Sequence, residues 1–329
     1  MNRSTISVSV VIATYNYGRY LASAIDSVLA QTFQDYEVIV VDDGSTDQTY
    51  EVIQPYLDDP RIRYLRNEHL GQPRTKNAGI KASRGGYVAF LDADDRWLPS
   101  KLEKQVFLFE KDPSCRIGVV YSRRGWIDEL GSPIDRGDRT PLRGDVLAPL
   151  FYRPFICFSS SMVRRSVLDE VGLFDETTQY SIDYDLWLRI ALKYQFDFVD
   201  EPLTLYRTGH ANMSSRQHER VWCVRKIIYR FLDEYGGRAR LDPALIRMTL
   251  AEHCCDVAFA AGAGRPRVWL GWLARALGHR PWHAQAWRAL ATGWWPESVK
   301  ATLKGRKGRS DRNDRPVSAV DEPLRMSVH

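Results

Sequence analysis

Three carboxylates close a short apolar run, Tyr87-Val88-Ala89-Phe90-Leu91-Asp92-Ala93-Asp94-Asp95. Carboxylates beside a core are costly unless a cation or a hydrogen-bond donor meets them. Asp92 and Asp94, two apart at the end of a buried strand, can aim their oxygens at one place above a sheet. Hard oxygen ligands of this kind suit magnesium or manganese, with substrate phosphates completing the coordination shell. A bare D-x-D also begins loops and caps turns, so the rest of the chain has to decide its meaning. Two further acidic clusters bear on it: Asp42-Asp43-Gly44-Ser45, and Asp183-Tyr184-Asp185 before Leu186-Trp187-Leu188-Arg189-Ile190. Read as a helix, the latter puts Asp183 on the inward face with Leu186, Trp187 and Ile190. Asp183 there is either an N-cap or a working group. Asp185, four residues before Arg189, makes an exposed pair on that reading. His210, in Tyr206-Arg207-Thr208-Gly209-His210, is either a metal ligand or a loop residue.

The elements that carry these groups read as alternating strands and helices. Ile6 to Ala13 is a β-branched run that breaks at Thr14-Tyr15-Asn16-Tyr17-Gly18, and Arg19 to Gln31 has helical spacing. Glu37 to Val41 is a second strand, Thr46 to Leu57 a second helix, Ile62 to Leu65 a third strand, and Pro73 to Ala82 a third helix. The fourth strand delivers Asp92. Such alternation with short connections predicts a parallel sheet wound by right-handed crossovers. Ligands bind beyond the carboxyl ends of its strands, which is where Thr14-Tyr15, Asp42-Asp43 and Asp92-Asp94 fall. No G-x-G-x-x-G follows the first strand; an aromatic and an amide stand there and suit a base or ribose better than a pyrophosphate. Further on, Ser100-Lys101-Leu102-Glu103 predicts a capping box and a helix to about Lys111. Ile117 to Tyr121 reads as a strand, Arg123 to Asp145 as a long surface loop or hairpin, and Phe155 to Val163 as a strand. A helix from Ser166 ends at Gly172, and Phe196 to Leu205 is the last strand.

The 329 residues suffice for one large core with an appendage. The five cysteines have no C-x-x-C spacing, which predicts a reduced, intracellular protein with no zinc site. Met1 leads into a strand pattern without signal-peptide architecture, and no run of about 18 apolar residues is present. Charge is uneven: roughly −5 over residues 1–200 and +10 over 201–329, within a net charge of +5.

Six motifs in order resemble glycosyltransferase family 2, the inverting transferases with the A-type fold. They are Val10-Val11-Ile12-Ala13-Thr14-Tyr15-Asn16, Val41-Asp42-Asp43-Gly44-Ser45-Thr46-Asp47, Lys76-Asn77-Ala78-Gly79-Ile80, Phe90 to Asp95, Asp183 to Arg189, and Tyr206-Arg207. The likeness runs from about Ser7 to Ser215. It implies an α/β, mostly parallel Rossmann-like sheet of the glycosyltransferase A type, followed by a helical C-terminal extension. A catalytic domain would occupy 1–215, with a nucleotide-binding half at 1–95 and an acceptor half at 96–215. It implies that Thr14 and Tyr15 frame the nucleobase and that Asp43, with Asp42, accepts from its ring N–H. Asp92 would hold the donor ribose or sugar, with Ala13, Lys76 and Ala93 among the nucleotide-sugar contacts. Asp94 would ligate Mn2+ or Mg2+ bridging the diphosphate, His210 being a second metal candidate. Asp183 would be the general base that deprotonates the acceptor hydroxyl. A nucleotide diphosphate leaves with charge on its oxygens, which a metal stabilises, and one base without a protein nucleophile means a single displacement with inversion. Three positions depart from the pattern: Lys76 replaces Arg, Ile182 replaces Glu, and His210 stands one place late in Y-R-x-H. The reading is a metal-dependent inverting transferase using a nucleotide-sugar donor, UDP first, in cell-surface polysaccharide or glycolipid synthesis. The alternatives are a non-catalytic sugar-nucleotide-binding protein and a nucleotidyltransferase.

Beyond Ser215 the chain reads as helices, Val221 to Leu232, Pro243 to Ala261 and one from about Arg265, making a Trp- and Arg-rich extension over 216–303. Six of the ten tryptophans follow residue 260. Trp269, Leu270, Leu273 and Leu277 form one apolar face, with arginines elsewhere, a pattern that suits a helix lying in a membrane interface. Packing on the catalytic domain or dimerisation would use the same face. Residues 304–329 read as a disordered basic tail, and no nucleic-acid-binding module accompanies it. The expected location is the cytoplasm, peripherally at the inner face of the cell membrane.

Overall fold

A computed structural model of the chain describes residues 6–210, 216–261 and 266–292. Residues 293–303 of the extension expected over 216–303, with Trp294 and Trp295, and the whole tail expected over 304–329 lie outside the described residues. Nine strands form one sheet in the order β3-β2-β1-β4-β8-β6-β9-β5, with β7 paired to β6. The strands are β1 Val8–Thr14, β2 Tyr36–Asp42, β3 Ile62–Arg66, β4 Tyr87–Asp92, β5 Arg96–Trp97, β6 Ile117–Ile127, β7 Pro133–Ile134, β8 Met162–Arg164 and β9 Gln195–Arg207. The helices are α1 Gly18–Leu29, α2 Thr49–Ile53, α3 Gln72–Ala82, α4 Lys101–Glu110, α5 Leu147–Tyr152, α6 Arg165–Val171, α7 Ile182–Ala191, α8 Gln217–Asp233, α9 Gly237–Arg240, α10 Pro243–Ala261, α11 Pro266–His279 and α12 Ala284–Thr292.

β1, β2, β3 and β4 pair in parallel, as the alternation predicts. Successive residues of a strand face opposite ways, so the β-branched run of β1 serves two cores at once. Val8, Val10 and Ile12 pack with α1 and α4 on one face, while Val11 packs with α3 on the other. Gly79 lets α3 approach: a Cβ there would lie 2.4 Å from a Val11 methyl. The strand order turns about β1, which has β2 on one side and β4 on the other. Register places Thr14 beside Asp42 and Ala13 beside Asp92, so three strand ends stop at one level. That is where a doubly wound sheet opens a crevice.

Several local expectations are corrected. The helix expected over 46–57 contracts to α2 and a 3-10 turn, Gln54–Tyr56, because Pro55 has no N–H to continue it. The strand expected over 155–163 is a 3-10 turn, Phe158–Ser160, followed by β8, since Ser160 and Ser161 hydroxyls donate to the carbonyls three residues back. β6 runs on to Ile127 inside the expected loop, paired to a β9 longer than expected. The capping box does not form: Glu103 accepts instead from the Thr32 hydroxyl at 2.7 Å.

The apolar face of α11 is not a membrane face. Trp269, Trp272, Leu273 and Ala276 are buried against Cys254, Cys255, Val257 and Ala258 of α10. α8 and α10 in turn send Ile227, Ile228, Phe231, Ile246 and Leu250 into the same cluster as α5, α6 and α7. No described helix is long and apolar enough to cross a membrane.

Candidate active site

Lys76, Asp92, Asp94, Asp183 and His210 come together at the open rim. Lys76 rides on α3, is 3% exposed, and donates from Nζ to Asp92 Oδ1 at 2.8 Å. Its ammonium also lies 3.5 Å from the centre of the Phe158 ring, so the fold supplies both a carboxylate and a π face. Asn77 beside it donates to the Phe174 carbonyl at 2.9 Å and accepts from the Phe174 N–H at 3.0 Å, tying α3 to the loop before α7.

Asp92 keeps 29% of its side chain open. Burial pushes its carboxyl above the usual carboxylate range; Lys76 opposes this, while the charges of Asp94 and Asp183 add to it. Asp183 opens α7 half-buried, and burial raises its carboxyl too, against Lys76, the Tyr184 N–H and Arg220. A carboxyl raised in this way is a better proton acceptor for a hydroxyl. Asp183 therefore stands within electrostatic reach of Asp92 although it comes 91 positions later in the chain.

Asp94 Oδ2 lies 2.8 Å from His210 Nε2. The imidazole is enclosed by Tyr17 and Tyr20 at centroid distances of 5.8 and 5.1 Å. His210 reaches Asp94 despite its late place because Gly209 takes φ +98°, a conformation open to glycine, and turns the chain back. The turn that carries Asp94 is pinned from β9. The Arg207 N–H donates to Asp95 Oδ1 at 2.9 Å and Arg207 Nε to the Asp94 carbonyl at 2.7 Å. Asp95, 1% exposed, also accepts from the Ser159 hydroxyl, and burial drives its carboxyl well above the usual range. Ala93 points into the core below.

The acidic pair after β2 does other work. Asp42 accepts from the Ser45 N–H at 2.8 Å and the Tyr64 hydroxyl at 2.6 Å. Asp43 accepts from the N–H groups of Leu70 and Gly71 at 2.7 and 2.9 Å. Both therefore brace the rim, and Asp43 keeps lone pairs for a further donor. The loop that Asp43 holds delivers His69, whose ring stacks on Tyr15 at 4.0 Å. Tyr15 is 39% exposed, which leaves an aromatic platform at the mouth. The Thr14 hydroxyl is buried there with no hydrogen-bond partner.

Residues 9–172 match the family model described as glycosyl transferase family 2. An uncharacterised glycosyltransferase of Methanocaldococcus jannaschii is 35% identical over 205 residues, covering 61% of this chain and 70% of that protein. Another, from Nostoc, is 35% identical over 262 residues, covering 72% and 79%. The chain belongs to glycosyltransferase family 2. Among solved structures, Staphylococcus aureus TarS 1-349 in complex with UDP-GlcNAc superposes with a TM-score of 0.64 at 19% identity, over 83% of this chain and 81% of that one. The mannosyltransferase PcManGT of Pyrobaculum calidifontis, in complex with GDP-Man and Mn2+, gives 0.58 at 16%, over 91% and 79%. These place the transferase in the A-type fold. Chondroitin synthase of Escherichia coli is 31% identical over 185 residues, but this chain spans only 26% of its length.

A divalent metal fits the residues present. Among the described residues no group of three His, Cys, Asp or Glu side chains could hold an ion alone. Asp94 is 16% exposed and backed by His210, so the protein offers one or two ligands, and phosphate oxygens would have to supply the rest, as magnesium and manganese sites commonly require. Motif reading of the transferase missed His69 and Tyr17. Tyr17 sits where burial and the charges of Asp94 and Asp92 raise its hydroxyl. Neither residue lies in a cluster with chemistry-bearing spacing. The pairing of Asp185 was also misjudged: it does meet Arg189, but at 2% exposure and not on the surface.

Proposed function

We propose that this transferase moves a sugar from a UDP-linked donor to an acceptor hydroxyl with inversion, using Mn2+ or Mg2+ held at Asp94. The observation that carries the reading is the shared electrostatics of three carboxylates from two distant elements. Asp94 and Asp183 both raise Asp92, and Lys76 sits among them as counter-charge. A metal at Asp94, with His210 behind it, would offset charge on the departing diphosphate. Asp92 and Lys76 would hold the donor sugar and its ribose, and the Tyr15–His69 stack would carry the base. Asp43 and the Thr14 hydroxyl would accept from or donate to its edge. Asp183 would take the acceptor proton from the opposite side. UDP is supported by UDP-GlcNAc in the TarS complex, and the metal by Mn2+ in that of PcManGT.

The acceptor in this proposal is a growing surface glycan or lipid-linked sugar at an anionic membrane surface. Support comes from Trp282 and Trp287, 87% and 53% exposed beside the exposed Arg280 and Arg288, and from the +10 charge of residues 201–329.

Thermal unfolding against UDP, GDP, dTDP and CMP, each with and without manganese, tests the donor site. We expect a shift with UDP that needs manganese and is lost in Asp94→Asn. Asp183→Asn should keep that shift and lose transfer from UDP-sugars. A shift with no nucleotide, or one that Asp94→Asn leaves intact, would overturn the assignment.

A further inference from the structure

We infer that Arg230, on α8 and 58 residues beyond the family match, is a positioning residue for Asp183. The inference rests on the reading of Asp183 as the base. α7 begins without a cap from the residue that precedes it. Ser181 precedes it in a left-handed conformation at φ 56°, and its hydroxyl makes no capping hydrogen bond. Here the fixed point is Asp185, two residues after Asp183 in the same turn and 2% exposed.

Two arginines grip Asp185. Arg189 Nε donates to Oδ2 at 2.9 Å, and Arg230 Nη2 donates to Oδ1. Each guanidinium then reaches the loop that leads into α7. Arg189 donates to the carbonyls of Val171, the last residue of α6, and of Leu173 in the loop at 2.6 and 2.7 Å. Arg230 Nη1 meets Asp175 Oδ2, and Asp175 in turn accepts from the Thr177 and Thr178 hydroxyls at 2.8 and 2.7 Å. Arg230 therefore bridges one carboxylate on the catalytic helix and one on its lead-in loop, itself only 13% exposed. A planar fork can bridge two carboxylates at once, which an ammonium does less well. α8 adds a second tether through Lys226 Nζ, 2.7 Å from the Thr177 hydroxyl. The helix that sets this geometry belongs to the helical extension, so the extension contributes to placing Asp183.

The test pairs Arg230→Met with Asp183→Asn in a double-mutant cycle, reading UDP release from UDP-glucose, UDP-galactose and UDP-N-acetylglucosamine with manganese and p-nitrophenyl glycosides as acceptors. Displacing a catalytic group by about 1 Å costs on the order of 100-fold. Arg230→Met should lower kcat by about 10- to 100-fold with donor KM within about twofold, and should change the residual rate of Asp183→Asn by less than about threefold. An unchanged kcat, a rise in donor KM that accounts for the loss, or the same fold-loss in both backgrounds would overturn the inference. If Arg230→Met does not fold, Asp175→Asn cuts the loop half of the bridge and should show the same pattern at about tenfold. A wild type that releases no UDP and shows no thermal shift with UDP and manganese would instead refute the donor assignment. Amide exchange over 182–186 then decides: faster exchange in the variant supports positioning by Arg230, and unchanged protection refutes it.

Discussion

Replacing Lys76 by Met should destabilise the fold, and neutralising Asp92 should restore much of the loss. Met fills most of the volume of the lysine stem, so the change is chiefly electrostatic. The ammonium is 3% exposed, while its carboxylate partner at 2.8 Å is 29% exposed. Breaking a fully buried pair by removing one partner costs about 3–5 kcal/mol, and an exposed pair is worth about 0–1 kcal/mol. With one partner buried and the other partly in water, the expected loss is about 2 kcal/mol. Asp94 and Asp183, both close to Asp92, make the unpaired charge harder to bear. For a chain of 329 residues that corresponds to a fall in Tm of roughly 3 °C.

Urea unfolding of wild type, Lys76→Met, Asp92→Asn and the double variant reads the coupling directly. The double variant should recover about 1 kcal/mol or more relative to the sum of the singles. Strict additivity would refute the argument that Lys76 is there to offset Asp92. A second readout follows from the same cation. Lys76 favours the ionised form of Asp183, so its removal raises the pKa of that base further. The acid limb of kcat/KM must then move to higher pH; movement to lower pH would refute the assignment of Asp183 as base.

Gly79→Ala should cost about 1–3 kcal/mol by forcing α3 off Val11, measurable as a lower urea midpoint at unchanged slope. His253, 5% exposed, is held at about 4 by burial, with Arg225 adding to it. Its folded pKa lies below the unfolded one, so the folded state binds fewer protons, and stability falls as pH drops from about 6.5 to about 4. The loss is about 3 kcal/mol, and His253→Leu should flatten that part of the stability–pH curve. Trp282→Ala with Trp287→Ala should weaken co-sedimentation with phosphatidylserine-containing vesicles by about tenfold, some 1.4 kcal/mol, with the far-UV circular dichroism unchanged. Equal sedimentation would sink the membrane proposal.

What could be read in the chain and what could not divides by the distance to the partner. β1, β2 and β4 are apolar runs whose burial needs only neighbouring strands, and Asp92 and Asp94 follow from where β4 stops. The Lys76–Asp92 pair was half legible, since both residues fall in motifs, but nothing in their spacing says that they touch. Asp185 was misjudged because its second arginine lies 45 positions downstream on α8. The α11 stripe is amphipathic whether it meets lipid or protein, and only the position of α10 decides between them. Ser100 and Glu103 have capping-box spacing, yet Thr32, 71 positions away, takes the carboxylate. In each case local pattern names a group that needs a partner, and tertiary structure chooses the partner. A carboxylate that tertiary structure leaves under-compensated is then informative in itself. Asp92 and Asp183 both have raised pKa values at one rim, whereas Glu37, 1% exposed but held by Arg84 and Ser9, has a lowered one despite its burial. The fold can neutralise a buried acid where it has only a structural task. That it leaves the rim of β4 and α7 short of positive charge is the physical ground for expecting a cation-bearing donor there.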